Sequence, residues 1–213
     1  ESFLLAEEIE TAFALCKQRN FPVMAHATNP ESVKMAIKLG AHTVEHAYIT
    51  DEDCITEFVS SGTWYVPTLS ISQLSPSLAT TEHEKAYAAR KQLAPDLVVR
   101  ADAAAAEHRS SFQKALSAGV KMALGSDISP MKDSALLELG LLVKCGATTW
   151  QALSAATKNA AEMCGVGLEL GTVEAGKLAD LIVVTDNPLS DIENLRKLEL
   201  VLKEGQIVAD HRS

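Results

Sequence analysis

The chain has 213 residues, a formal charge of −9 and a pI near 5.1, enough length for one large domain, or one domain and part of another, around a buried core. The acidic balance comes without a basic stripe or interleaved aromatic and basic residues, which excludes a nucleic acid held through its phosphates. No apolar run approaches the ~20 residues of a membrane span, and the acidic opening ESFLLAEEIE lacks the basic segment of a secretory leader, so a cytoplasmic setting away from membranes is the expectation.

In chain order, Leu4, Leu5, Ile9, Phe13 and Leu15 recur at helical spacing, and FPVMAHA then reads as a short strand bounded by Asn20 and Pro22. Glu1 opens the chain in the middle of that helical pattern and without a methionine, as a piece cut from a longer protein would. NPESVKMAIKLG is a second helix, with Asn29 as N-cap, Pro30 at the first helical position and Gly40 as its stop. AHTVEHA is the next strand. TDEDCITEFVSSG is the next helix, with Thr50 as its expected cap and Gly62 as its end, and TWYVPTL is a third strand.

A long, partly helical stretch from about residue 72 to residue 117 precedes a fourth expected strand, GVKMALGSD. Two helical stretches follow, DSALLELGLLVKCG and TTWQALSAATKNAAEMCG, the second capped by Thr148 or Thr149 and ended at Gly165. From residue 170 to residue 213 the chain is β-rich, with KEGQ as a hairpin turn, and reads as strands of a separate small unit. Cys16, Cys54, Cys145 and Cys164 are scattered without CxxC spacing, as packed or reduced thiols are.

Strands alternating with helices about every 20 residues predict βαβ units and a parallel sheet, because parallel strands need a crossover between them. The strands are almost wholly apolar, as strands buried on both faces are. Ligands gather at the C-terminal edge of such a sheet, and His26, His46 and Asp127 all fall at that edge. Two imidazoles and a carboxylate suit zinc or a similar divalent ion, and neighbouring strands about 4.8 Å apart bring their ends within reach of one. Gly125 and Ser126 leave room for a sharp turn that aims Asp127.

His42-Thr43-Val44-Glu45-His46 also matches H-x-x-E-H, whose histidines chelate zinc from one helical face. Gly40, two β-branched residues and Thr50 deny that helix, and in a strand the two histidines stand roughly 13 Å apart. Glu45 reads as a carboxylate bonded to a neighbouring element, His42 as structural, His83 and His211 as solvated, and His108 as structural. GVGLELG follows a helix instead of a strand, so it is a turn and not a dinucleotide loop.

Together VMAHA, GAHTVEHA, GVKMALGSD and ELGTVEAGKLADLIVVTDNPL resemble the amidohydrolase superfamily, in particular its imidazolonepropionase-like and prolidase-like members, across nearly the whole chain. The resemblance implies a (β/α)8 barrel with an added β-sandwich. Residues 1–169 would supply strands five to eight of the barrel and residues 170–213 strands of the sandwich. It implies His26 and His46 as metal ligands from the fifth and sixth strands, and Asp127 as both ligand and proton acceptor from the eighth. It further implies one or two divalent ions, zinc foremost, and hydrolysis of a small amide or dipeptide-like substrate.

The family's first-strand H-x-H and fourth-strand lysine have no counterpart in this sequence, so an inactive fragment that self-associates through its open sheet edges is the expectation. A deaminase of the same superfamily and a non-catalytic half-barrel used for binding or assembly are the alternatives; HATNPE replaces the H-A-G-E usual in purine deaminases. TLSISQL after Pro67 and ISPMKD after Asp127 are expected to line the pocket.

Overall fold

A computed structural model describes residues 4–92, 94–129 and 133–212, and the chain has an α/β fold divided into two compact units, Glu1–Met122 and Ala123–Ser213. The first unit is built on the βα rhythm. Helix α1 (Ala6–Gln18) leads to strand β1 (Met24–Ala27), α2 (Pro30–Leu39), β2 (Thr43–His46), α3 (Glu52–Ser61) and β3 (Trp64–Val66). The strands lie parallel in the order β1-β2-β3, with Ala27 opposite His46 and Glu45 opposite Val66.

Capping chemistry sets the helix boundaries. Asn29 accepts from the Ser32 amide, and Gly40 ends α2 at φ 92°, a left-handed conformation that costs glycine no Cβ clash. The cap of α3 is Asp51 and not Thr50: Asp51 accepts from the Cys54 amide at 2.8 Å and from Lys34 Nζ at 2.7 Å, while the Thr50 amide turns inward to Ser111 Oγ. A carboxylate wins because it answers both the helix N-terminus and a cation. Cys54 is buried beneath this cap, its Sγ 3.6 Å from the Pro30 carbonyl.

The core of this unit is Val33, Ile37, Val44, Phe58, Tyr65, Leu69, Leu74 and Phe112, all buried. The expected fourth strand is reduced to one bridge, Tyr65 to Met122, with the Tyr65 amide on the Lys121 carbonyl at 2.8 Å. Pro67 has no N–H, so the ladder cannot continue beyond Val66. The long connection carries α4 (Ser70–Gln73), α5 (Glu82–Arg90) and the 23-residue α6 (Pro95–Ser117).

In the second unit, α7 (Ser134–Lys144) precedes α8 (Thr149–Ala156) and α9 (Lys158–Met163). The sequence reads the last two as one helix; Thr157, at φ −123° and ψ −88°, breaks it, and Thr148 is the cap, accepting from the Gln151 amide. Strands β4 (Leu181–Val184), β5 (Leu198–Lys203) and β6 (Gln206–Asp210) form an antiparallel sheet in that order. The expected KEGQ turn joins β5 to β6, with Glu204 and Gly205 at φ 51° and 79°, the paired positive angles of a twisted two-residue hairpin. Among the described residues no helix is long and apolar enough to cross a membrane.

Candidate active site

Parallel pairing of β1 with β2 brings His26 and His46 together at one end of the sheet, their ring centroids 4.5 Å apart and edge to face. The pairing also rules out the helical H-x-x-E-H arrangement, since Thr43 to His46 are strand. Glu45 takes the hydroxyl of Thr43, on its own strand, at 2.6 Å. His83 and His211 are exposed.

The two imidazoles have different surroundings. His26 lies on the edge strand and is exposed. His46 is 5 % exposed and turns the chain at φ 72°, a conformation that costs a non-glycine residue about 1 to 3 kcal/mol. Two neighbours hold it there. The Tyr65 hydroxyl donates to the His46 carbonyl at 3.1 Å, and His46 Nδ1 meets Thr68 Oγ1 at 2.7 Å. The single Thr68 proton goes to the Pro67 carbonyl at 2.7 Å, so the Thr68 oxygen accepts from His46 Nδ1–H and the lone pair resides on Nε2.

A ring series continues from His46 to Tyr48, 5.2 Å away, and from Tyr48 to His108, 4.8 Å away. His108 is fully buried on α6, with Nδ1 on Ser72 Oγ at 2.8 Å and no well-formed hydrogen bond at Nε2. Burial pushes its pKa down to about 4, with the His46 and Pro67 carbonyls opposing the shift. The structural reading of His108 from sequence agrees with this placement.

Beside Tyr48 a cavity of about 500 Å³ opens, and Ile71, Ser72 and Leu74 line it, as expected of TLSISQL. From ISPMKD, residues 130–132 lie outside the described residues. Asp127 belongs to the second unit, in an irregular segment at φ 47°, a left-handed angle that Asp tolerates better than most side chains. Among the described residues no group of three or more His, Cys, Asp or Glu side chains gathers as a metal site. The His26–His46 pair still suits a divalent ion, because both are imidazoles at adjacent strand ends and His46 presents the Nε2 lone pair with Nδ1 held by Thr68.

Sequence reasoning did not identify Tyr65, and it placed Thr68 in the pocket-lining TLSISQL without assigning it a contact. Thr68 had a signal: it follows the third strand as His26 and His46 end the first two. Tyr65 had none, because a buried tyrosine in a strand reads as core.

The model of the amidohydrolase family matches residues 5–208. The ochratoxinase of Aspergillus niger is 30% identical over 188 residues, 88% of this chain and 37% of that protein. The imidazolonepropionase of Agrobacterium fabrum is 31% identical over 208 residues, 93% of this chain and 40% of that protein. A crystal structure of a Xaa-Pro dipeptidase with bound methionine in the active site superposes with a TM-score of 0.80 at 29% identity, over 96% of this chain and 48% of that one. The chain thus spans about two fifths of the curated relatives it matches.

Proposed function

Because the chain belongs to the amidohydrolase family, we propose that it is the C-terminal part of a metal-dependent hydrolase of small amides or dipeptide-like substrates. The supporting observation is the pairing of His26 and His46 at one end of a parallel sheet, with His46 held at Nδ1 and its carbonyl clamped by Tyr65. In this reading residues 1–169 are the second half of a barrel and residues 170–213 are strands of its accessory sandwich.

His26 and His46 would hold the ion, zinc foremost, with Asp127 as a further ligand. A bound divalent ion supplies Lewis acidity, lowering the pKa of water and polarising the scissile carbonyl. Asp127 takes a proton from the attacking water and returns it to the leaving amine. Thr68 fixes the tautomer of His46, and Tyr65 keeps the strand end turned. The missing donors, an H-x-H and a lysine, would come from an N-terminal half.

The test supplies that half, fused or in trans, and measures bound zinc and the hydrolysis of N-acyl amino acids and dipeptides. The reading predicts no turnover by the 213-residue chain alone and turnover with stoichiometric metal in the complemented protein. His26→Ala and His46→Ala then lose metal, and Asp127→Asn loses turnover. A complemented protein without metal and without amide hydrolysis refutes the reading.

A further inference from the structure

The 500 Å³ cavity in the first unit has the size of a small-molecule site, and Tyr48, which stacks against His46, forms part of its wall. Ile49, Ile71, Leu74, Ala101 and Ala104 give the wall its apolar part. Among the described residues, one cation lines it. Lys91 follows the end of α5, is half-buried, and has two partners, the Ile71 carbonyl at 3.2 Å and the Tyr87 ring at 5.5 Å. An ammonium carries three N–H groups, so one carbonyl leaves donors for a ligand.

Among the described residues no carboxylate stands within ion-pair distance of Lys91. Burial holds its pKa below the usual lysine range, the sign of a charge short of solvent and of a counter-ion.

We propose that this cavity binds an apolar organic acid, its hydrocarbon body against Ile49, Ile71 and Leu74 and its carboxylate on Lys91. A neutral apolar ligand would bury the ammonium without an anion to offset its desolvation. A polyanion would set several charges against aliphatic walls with one cation to meet them, and the exposed Glu107 carboxylate at the same wall would repel it. Ser75, also in the wall, already donates to Asp102 at 2.6 Å and is committed within the protein. Calling the acid a portion of the amide substrate rests on the hydrolase reading; its binding does not.

The probes are 4-phenylbutyrate and the neutral ketone 5-phenylpentan-2-one, neither hydrolysable, titrated calorimetrically into the 213-residue chain without metal. The acid binds more tightly than the ketone. Lys91→Met weakens the acid about 10- to 100-fold, the range of a charge-assisted hydrogen bond, and leaves the ketone within about twofold. Lys91→Arg keeps the preference for the acid, and Glu107→Gln tightens the acid about two- to threefold by removing a like charge. Ala104→Phe weakens both ligands by filling the space.

Circular dichroism checks each variant. Should Lys91→Met not fold, the wild-type ratio of acid to ketone affinity and its fall with added salt decide the matter. Equal affinity for the two probes, no binding of either at millimolar concentration, or acid binding indifferent to a folded Lys91→Met overturns the proposal. None of these outcomes depends on whether the complemented protein hydrolyses amides.

Discussion

The ends of β1 and β2 carry the same residue type one register position apart, yet they are built differently. His26 sits on the edge strand with Met24, 73 % exposed, two residues before it. His46 sits on the central strand with Val44 fully buried behind it, and Thr68 and Tyr65 hold it in a left-handed turn. One imidazole is presented by exposure and the other by constraint. A shared chemical role does not imply a shared structural cost, and substitution separates the two.

The largest expected effect is on His46. His46→Ala removes a buried ring, its bond to Thr68 and its ring contacts, and should cost about 2 to 3 kcal/mol in urea unfolding of the chain. His26→Ala should stay within about 0.5 kcal/mol. Equal costs would collapse the distinction. Tyr65→Phe is next: it keeps the ring volume and removes the hydroxyl from the His46 carbonyl, for a loss of about 1 kcal/mol by the same measurement.

pH should separate the central strand from the edge in a milder way. Lys34 and the Cys54 amide hold the Asp51 carboxyl well below the usual carboxylate range. A depressed carboxylate pKa gives stability that is present above about pH 4, the unfolded value, and is lost as pH falls below it. Denaturation between pH 5 and pH 3 should therefore show a loss that Asp51→Asn makes smaller. The smallest effect on stability is expected at the edge itself. Met24→Lys should leave unfolding within about 0.5 kcal/mol while lowering any self-association seen by light scattering, since a charge blunts an open strand edge.

Much of this arrangement is legible in the sequence because it is local. Asn29, Pro30 and Gly40 bracket α2 with cap chemistry that depends on near neighbours, and apolar runs at a regular interval place β1, β2 and β3. The pairing of His26 with His46 follows from those intervals. The parts that escape are set by distant residues. Thr50 loses the cap of α3 because Lys34, on another helix, favours Asp51, and because Ser111 draws the Thr50 amide inward. The strand expected at GVKMALGSD shrinks to a bridge because Pro67, just past the end of β3, withholds a donor, while the Leu124 amide goes to the Ala155 carbonyl. Lys91 carries no local sign at all; its interest comes from a cavity that the fold creates.

Cys54 gives the α2–α3 pair a built-in chronometer. Burial, reinforced by Asp51, raises its thiol pKa to about 11, so near neutral pH almost none of it is the thiolate that reacts with disulfide reagents. Cys164 is exposed and offers the same reagent an immediate target. With the other buried thiol removed by Cys145→Ser, modification of the chain should therefore proceed in separated phases, and the slowest reads how often the α2–α3 pair lifts from the sheet, a rate that tryptophan fluorescence or circular dichroism averages away.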